Sequence, residues 1–458
     1  MFQTCIIGAG ISGLAHAWEL HRNGNKCLVL ETSATPGGAI CSHRSGPYLA
    51  EQGPHSIHLN SPAVDDFLRS VPDLQASLIE SRPEAKKRFV LRRGKLHAVP
   101  MNPLAALISP LWSIGGKLRA LKEPFIKAAP ADRTESIADF ARRRLGDELY
   151  RYAVNPMVAG IYAGDPETLS LQHTFPKLHT LEQTHGSLLR GMLQTRKNAH
   201  KNKQQRPPAR ILSCKNGMAE LPGKLAAALG ESVQTGVTID TIQQAADHWT
   251  VHWTDANGSA HEHSCTQLIL TVPAHRLATL PLEPPLQAAL KPLDRIPYPP
   301  VSVLTLGFKR ADVAHPLDGF GFLVPESEPC SLLGVLFPSS IFPGRAPEDE
   351  VLLAAFIGGA RRPELATADT AALQTTVLPE LEALLGIRGA PTFIHHKHWE
   401  RAIPQYELDY ATHQETMNQI ENNLPGLKLA GNYRTGVSVT ACIEAATVDA
   451  ASMDSCAG

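Results

Sequence analysis

The first 31 residues carry the feature that most restricts the fold of this chain of 458 residues. A short apolar run, Phe2 to Ile7, leads into residues 8–13, which have the glycine spacing G-x-G-x-x-G. A helical pattern then runs from Ile11 to a C-cap at Asn23-Gly24, and a second apolar run, from Lys26, ends at Glu31. This order of strand, turn, helix, strand and acid predicts a βαβ unit that binds a dinucleotide.

Each residue of this motif has a physical task. Gly8 permits a tight turn, Gly10 lets the backbone approach a pyrophosphate, and Gly13 lets the helix pack against the strand. The helix N-terminus stabilises the phosphate charge, and Glu31 accepts a hydrogen bond from a ribose hydroxyl. A second glycine pair, Gly37-Gly38, follows soon after the acid and indicates another close approach of backbone to the cofactor.

The other end of the chain has a similar pattern, LKLAGNYRTGVSVTACIEAATVDAA, beginning at Leu427. We expect Leu427 to Ala430 to form a strand that returns to the first domain. Gly431 and Gly436 would allow close backbone approach, and a helix beginning near Val437 would direct its N-terminal amides at the same cofactor. The first domain is therefore predicted to be discontinuous in sequence.

Charge and cysteine distribution exclude several classes of function. With 43 basic and 44 acidic side chains, the chain lacks the electrostatic footprint of a nucleic-acid-binding protein. Its eight cysteines are scattered, which favours a reduced intracellular compartment. In His395-His396-Lys397-His398, neighbouring side chains of a strand point to opposite faces and no thiol or carboxylate stands at ligand spacing, so we expect no metal site.

Between the two ends, the pattern changes from strand-like to helical and back. Lys86 to Pro100 predict a hairpin turning at Arg93-Gly94, and residues 101–182 are helical, with Ser136 and Asp139 as a capping box. Residues 196–210 are polar and basic and predict a mobile surface loop. Strand patterns then return in the second half of the chain.

With these elements placed, the chain resembles the protoporphyrinogen oxidase family, a branch of the FAD-dependent amine-oxidase superfamily, over nearly its whole length. The likeness is carried by GAGISGLA at 8–15, ETSATPGG at 31–38, EQGPHS at 51–56, KRFVLRRGKLHAVP at 87–100, PMVAGIYAGDPETLS at 156–170, FPKLHTLEQTHGSLLRGML at 175–193, RAIPQYELDY at 401–410 and GNYRTGVSVTACIEAA at 431–446. General amine oxidases share the glycine motifs but lack the pairing of AGIYAGDP with EQTHGSLLRGM.

The resemblance implies an α/β fold, α+β overall: a discontinuous Rossmann-like FAD domain with an inserted mixed-sheet substrate domain and a helical, membrane-associating or substrate-capping domain. The FAD domain would comprise residues 1–85, 210–280 and 421–458. The substrate domain would comprise a hairpin at 86–100 and residues 281–420, and the helical domain residues 101–209. The helical domain is the predicted site of peripheral contact with the inner face of the cell membrane, in an otherwise cytoplasmic protein.

The resemblance also assigns residues to FAD. The implied contacts are Gly8, Ala9, Gly10, Ile11, Ser12, Gly13, Glu31, Thr32, Ala39, Gly53, Pro54, His55, Ser56, Ile239, Asn432, Val437, Ser438 and Val439. Ala39 departs from the pattern, since many superfamily members have a larger residue there. His55 is expected near the isoalloxazine, where a structural role is favoured over that of a proton acceptor.

Four further positions match substrate-facing residues of the family. Arg88 matches an arginine that pairs with a propionate, Leu333 and Phe356 match apolar residues that clamp the ring, and Gly160 matches a glycine whose backbone faces the substrate. The implied reaction is oxidation of protoporphyrinogen IX to protoporphyrin IX in heme biosynthesis, by hydride transfer to flavin N5 with O2 as acceptor and H2O2 as product. No side chain is implied as an essential acid or base.

Several alternatives remain open at this point. An oxidase of coproporphyrinogen III would carry the same motifs. An amine oxidase needs an aromatic cage, and 6% aromatic content argues against it. A non-catalytic flavin-binding protein would not need the substrate residues, and a nicotinamide-dependent dehydrogenase would share only the first motif. The sequence leaves the oligomeric state open, a homodimer included.

Overall fold

The computed structural model describes residues 3–130, 133–201, 209–245 and 247–456. The strands, in chain order, are β1 Thr4–Ile7, β2 Cys27–Glu31, β3 Ser42–Ser45, β4 Tyr48–Glu51, β5 Ile57–Leu59, β6 Leu78–Glu80, β7 Lys87–Arg92, β8 Lys95–Ala98, β9 Arg210–Cys214, β10 Val233–Thr235, β11 Thr238–Gln244, β12 Trp249–Thr254, β13 Ala260–Cys265, β14 Gln267–Leu270, β15 Val301–Lys309, β16 Gly319–Leu323, β17 Leu332–Leu336, β18 Glu350–Gly358, β19 Phe393–Trp399 and β20 Leu427–Leu429.

Helices of six residues or more separate and cover these strands. They are α1 Ile11–Arg22, α2 Pro62–Ser70, α3 Pro103–Ile108, α4 Ile114–Leu121, α5 Ile137–Leu145, α6 Asn155–Tyr162, α7 Pro176–His185, α8 Leu188–Lys201, α9 Glu220–Leu229, α10 Pro284–Leu290, α11 Thr370–Leu385, α12 Tyr410–Asn423 and α13 Val439–Cys456. None of the helices in the described ranges is both long and apolar enough to cross a bilayer.

A parallel sheet with strand order β10-β2-β1-β14-β20 forms the base of the molecule. Strand β1 is fully buried because helices cover both faces of such a sheet, and α1 packs against α13 on one of them. The predicted βαβ unit is confirmed over its described residues; Phe2 lies outside them. The predicted return of the C-terminal segment is also confirmed, since Leu427 pairs with Leu268 at the sheet edge.

A mixed sheet of seven strands, in the order β19-β15-β18-β17-β16-β7-β8, stands beside the parallel sheet. The predicted hairpin turn is confirmed: Arg93 and Gly94 both have positive φ, at 53° and 70°, as a tight two-residue turn requires. One face of this sheet packs against α11 through an apolar core that includes Phe308 and Val377. The opposite face of the mixed sheet is turned toward the loops whose motifs resemble those of FAD-binding proteins.

The helical segment runs from β8 of the mixed sheet to β9, which pairs with β5 and β6 in a separate three-stranded sheet. Ser136 is the N-cap of α5 and its hydroxyl accepts from Asp139 N at 3.0 Å, as the capping box predicted. The prediction of a loop at 196–210 is wrong for its first residues, because α8 continues to Lys201. Lysine, arginine and glutamine are good helix formers, so a polar composition alone does not end a helix. Residues 202–208 of that loop lie outside the described residues.

Strands of the three segments predicted for the FAD domain meet in the parallel sheet, and β7 and β8 join strands of residues 301–399 in the mixed sheet. The α/β fold class is therefore confirmed. The domain boundaries themselves stay a prediction.

Candidate cofactor and substrate site

The glycine turn after β1 combines two crowded positions with one open position. A Cβ on Gly13 would lie 2.0 Å from Gly8 O, so only glycine lets α1 approach the strand this closely. Gly8 itself has a φ of 107°, which disfavours any side chain. A Cβ on Gly10, in contrast, would meet nothing within 4 Å. The space above Gly10 is what a pyrophosphate at the N-terminus of α1 requires.

The second glycine pair packs directly against the first turn. Gly37 N donates to Ala9 O at 2.8 Å, and Gly10 and Gly37 form an isolated parallel bridge. A Cβ on Gly38 would lie 3.3 Å from the Cα of Gly10. Two glycine turns thus form one continuous backbone surface, with room for the phosphates of a dinucleotide.

The acid at the end of β2 is held in place by backbone amides. Glu31 Oε2 accepts from Ala9 N at 2.7 Å, and Oε1 accepts from Ser33 N at 2.8 Å. A carboxylate has about four lone-pair sites, so two remain for ribose hydroxyls. Ile239 lies in the same apolar cluster as Leu30, and its contact with the adenine of FAD stays a prediction.

The C-terminal segment, which the sequence predicted as a second wall of this site, packs against α1. Gly431 and Gly436 have φ values of 143° and 126°, and between them the carbonyl of Asn432 accepts from the hydroxyl of Tyr406. Ser438 Oγ accepts from Ala441 N at 3.0 Å, which caps the start of α13. Val439, the first residue of α13, is buried, and Val437 is half-buried. The helix therefore begins within two residues of the position predicted for it.

The loop at residues 53–56 lies where the two sheets meet. A Cβ on Gly53 would overlap Ala39 O at 1.9 Å, so this loop and the Ala39 turn are in direct contact. His55 is buried, its ring centroid is 5.8 Å from that of Phe356, and its Nε2 has no partner in the described structure. Burial, assisted by the charge of Arg345, lowers the pKa of His55 to about 3. A histidine held neutral in this way suits hydrogen bonding to a ligand better than proton acceptance.

The sequence did not predict the buried ion pair that Arg345 and Glu51 form beneath this loop. Arg345 donates to Ser213 Oγ at 2.8 Å and to Cys214 O at 3.0 Å, and it lies 3.8 Å from Glu51 Oε1. Glu51 also accepts from Met218 N at 2.9 Å. Arg345 follows a glycine in a proline-containing turn, a pattern typical of an exposed position, and the segments that it joins are far apart in the sequence.

One face of the mixed sheet carries the residues predicted to meet the substrate. Strand register places one residue from each of six strands side by side in what we call the transverse row: Val90, Leu323, Gly334, Phe356, Val303 and Lys397. Arg88 lies two residues before Val90 and so shares its face. Leu333 packs in the same apolar cluster as Phe356 and Val303.

Arg88 belongs to a strand of the mixed sheet, whereas Gly160 belongs to the helix that packs on it. The Arg88 guanidinium lies 5.2 Å from the ring centroid of Phe320, at the β7 end of the transverse row. Gly160 lies in α6, where an added Cβ would be 2.5 Å from Leu323 Cδ2. The missing side chain at position 160 therefore leaves room for Leu323 of the transverse row beside α6. The structure brings Arg88, Gly160, Leu333 and Phe356 to one side of one sheet.

The histidine cluster of β19 is divided between the two sides of the sheet. The ring of His395 stacks on that of His43, with centroids 4.1 Å apart. His396 Nε2 lies 2.9 Å from Ser302 Oγ on the other side. Among the described residues, no group of three or more histidine, cysteine or acidic side chains is arranged to hold a metal ion.

Comparison with known proteins adds to this geometry. The sequence profile of the family described as flavin containing amine oxidoreductase matches residues 11–453. Protoporphyrinogen oxidase 2 of Arabidopsis thaliana is 31% identical over 95% of this chain and 91% of its own length. The coproporphyrinogen III oxidase of Bacillus subtilis is 26% identical over 96% of both chains. A crystal structure from Exiguobacterium sp. 255-15, provisionally assigned as a protoporphyrinogen oxidase, superposes with a TM-score of 0.80 at 23% identity, covering 99% of this chain and 98% of its own.

Proposed function

The chain belongs to the flavin-containing amine oxidoreductase family, in the branch of the protoporphyrinogen oxidases, and we propose that it oxidises protoporphyrinogen IX to protoporphyrin IX. It is an oxidoreductase that binds FAD. The observation that supports the substrate is the shared sheet face, which carries an arginine and two apolar side chains and which α6 approaches at Gly160.

The residues present fit FAD. The open space above Gly10 can take the pyrophosphate, and the unpartnered Nε2 of buried His55 can bond to the isoalloxazine or to the substrate beside it. Bound FAD supplies the electron-accepting chemistry, and we propose that O2 reoxidises it with H2O2 as product. The full set of proposed FAD contacts is the one that the family resemblance implies.

The substrate part of the site needs to bind and orient a flat macrocycle. A porphyrinogen is uncharged apart from its carboxylates, so an apolar slot lined by Leu333 and Phe356 removes its ring from water. At the β7 edge the Arg88 guanidinium can pair with a propionate. Gly160 keeps the wall formed by α6 free of a side chain at its closest point to Leu323. These residues position the macrocycle, and no acid or base is assigned among them.

Coproporphyrinogen III is the second candidate substrate. The whole-length match to the Bacillus subtilis enzyme favours it, at lower identity than the match to the Arabidopsis thaliana enzyme. The two substrates share the macrocycle and differ in the number of carboxylates. Both would use the slot and the cation described here.

Anaerobic mixing of the holoenzyme with protoporphyrinogen, coproporphyrinogen and a polyamine in turn tests the proposal. We expect the porphyrinogens to bleach the flavin absorbance, protoporphyrinogen at the lowest concentration, and the polyamine to leave it unchanged. In Arg88→Ala we expect the half-saturating concentration of protoporphyrinogen to rise about ten-fold or more, because a charge-assisted hydrogen bond is worth roughly 1.5–3 kcal/mol.

The matched control is Lys95→Ala, which removes an exposed cation from β8, the neighbouring strand. It should leave the half-saturating concentration as in the unsubstituted enzyme. Bleaching by the polyamine alone would overturn the proposed substrate class, and an unchanged half-saturation in Arg88→Ala would remove the propionate anchor.

The helical segment presents a separate surface, which we call the apolar face. Its members are large apolar side chains left exposed: Leu104, Leu107, Ile108, Ile114, Leu118, Leu121, Phe125, Leu189, Met192 and Leu193. Phe125 is 84% exposed and Ile108 is 78% exposed. The Glu123 carboxylate accepts from Leu188 N at 2.9 Å and Leu189 N at 3.2 Å, so it ties the first part of this face to the second.

We propose that the apolar face rests on a lipid bilayer, at the inner face of the cell membrane. Exposed apolar patches of this kind mark contact surfaces. Lys117 and Lys122 lie among these apolar residues and can meet anionic headgroups. A poorly soluble porphyrin product could then leave into lipid.

The double variant Ile108→Glu/Phe125→Glu is expected to lose cosedimentation with phosphatidylglycerol-containing vesicles, because it places two charges where apolar side chains would enter the headgroup layer. Leu408→Glu is the control, since Leu408 is exposed but lies outside the apolar face. Unchanged vesicle binding, together with a shift from dimer to monomer on gel filtration, would assign the face to a second copy of the chain instead.

A further inference from the structure

Lys397 lies at the end of the transverse row that is farthest from Arg88. It pairs with Val303 across β15, and Val303 in turn pairs with Phe356 across β18. Side chains that are paired in register point to the same face. The Lys397 side chain therefore shares the face of Phe356, beside the FAD loops.

Contacts of its neighbours place Lys397 next to the two loops that approach the flavin. Its Nζ is 4.5 Å from the ring centroid of Trp399, and Trp399 Nε1 donates to Gln52 O at 2.7 Å, one residue before Gly53. Burial raises the pKa of the Cys41 thiol, while the Lys397 ammonium opposes that rise. Lys397 is thus close to Cys41, whose Sγ lies 3.9 Å from Ala39 O.

The half-buried ammonium of Lys397 has no carboxylate partner in an ion pair among the residues that the structure describes. Two other lysines do have such a partner: Lys428 lies 3.0 Å from Asp449, and Lys87 pairs with Asp318. A partly buried charge without a counter-charge is costly, and an anionic ligand can supply one. Reduced FAD would supply such an anion beside Lys397.

We propose that Lys397 is an electrostatic partner of the isoalloxazine and stabilises the negative charge that FAD gains on reduction. When the flavin takes up two electrons and one proton, its charge changes by one negative unit. An ammonium beside the ring stabilises that charge through the low-dielectric surroundings. Ala39, two residues before Cys41, has only a methyl side chain, which would let a residue of the opposite sheet approach bound FAD.

Arg88 and Lys397 are too far apart to serve the same ligand group. They lie on strands five steps apart, which corresponds to roughly 24 Å at a strand spacing of about 4.8 Å. Arg88 belongs to the substrate end of the face and Lys397 to its flavin end. The proposal about Lys397 rests on FAD binding and does not depend on which substrate is oxidised.

The test is the midpoint potential of bound flavin, measured in the absence of porphyrinogen by slow enzymatic reduction against a reference dye. In Lys397→Met we expect the two-electron reduction to become less favourable by about ten-fold in its equilibrium constant, a fall of ~30 mV. Lys397→Arg, which keeps the charge, should retain the potential of the unsubstituted protein. Lys397→Gln provides a second neutral variant in case the methionine variant does not fold.

Lys309→Met is the matched control, since Lys309 is exposed at the far end of β15 in the same sheet. It should not change the potential. An unchanged potential in Lys397→Met and Lys397→Gln would overturn the proposal. The proposal would also be wrong if these variants only weakened FAD retention or only raised the Michaelis constant for porphyrinogen, because the cation would then serve the pyrophosphate or a substrate carboxylate.

Discussion

Gly10→Val is expected to abolish FAD binding while leaving the apoprotein folded. In the structure, a Cβ at position 10 meets no protein atom within 4 Å, and the φ of Gly10 is -69°, which any residue adopts. The added side chain would instead occupy the space where the pyrophosphate approaches α1. We expect the FAD dissociation constant to rise by on the order of 100-fold or more, since this loses the phosphate contact and adds a steric overlap.

The measurement is the flavin absorbance of the purified variant after incubation with excess FAD, together with circular dichroism of the apoprotein. Gly223→Val is a matched control. Gly223 also has no atom within 4 Å of its Cβ position, but it is exposed on α9 and belongs to neither glycine turn. A yellow Gly10→Val protein would show that the dinucleotide does not lie against this turn.

Arg144→Met is expected to cause the largest loss of stability. Arg144 and Glu123 are both fully buried, and the arginine donates to Glu123 Oε1 at 3.2 Å, to Glu182 Oε1 at 2.5 Å and to Ile126 O at 2.9 Å. Removing it leaves Glu123 without its cation in a dry interior. Breaking one side of a buried ion pair typically costs about 3–5 kcal/mol.

Limited proteolysis and the urea midpoint of the helical segment would measure this loss. The adjacent Arg142→Met variant is the control, because Arg142 is 40% exposed and pairs with Glu167 at the surface. An exposed pair of that kind contributes less than about 1 kcal/mol. Equal stability of the two variants would mean that the Arg144 network does not hold the helical segment together.

The sequence predicted those parts of the fold whose signals are local. The βαβ unit, the Arg93-Gly94 turn and the Ser136 cap each depend on residues within a few positions of one another, and all three are confirmed. The C-terminal strand could be placed because its glycine pattern resembles that of the first turn. The extension of α8 to Lys201 could not be predicted from composition, because a polar, basic run is compatible with both a loop and an exposed helix.

Residues whose roles depend on distant partners could not be predicted in this way. Arg345 bonds to residues 213 and 214, and Arg144 bonds to Glu123 and Glu182, contacts that no periodicity marks. Lys397 stands in a histidine-rich run that suggests metal binding, and only the strand register shows that it shares a face with Phe356. Arg88, Gly160, Leu333 and Phe356 came from family resemblance, and their roles stay predictions.

The pairing of β20 with β14 has a consequence for how stability is distributed. Leu427 pairs with Leu268, and the strands β15 to β19 lie between them in the chain. Closing this edge therefore requires a long-range contact whose loop-closure entropy opposes folding. Because the segment that follows β20 is predicted to contact FAD, we expect FAD binding and closure of this edge to be linked equilibria. At a given concentration of free FAD, binding would stabilise the closed form by RT ln(1 + [FAD]/Kd), so we expect the fraction of protein with an open, protease-sensitive C-terminal segment to fall as free FAD rises.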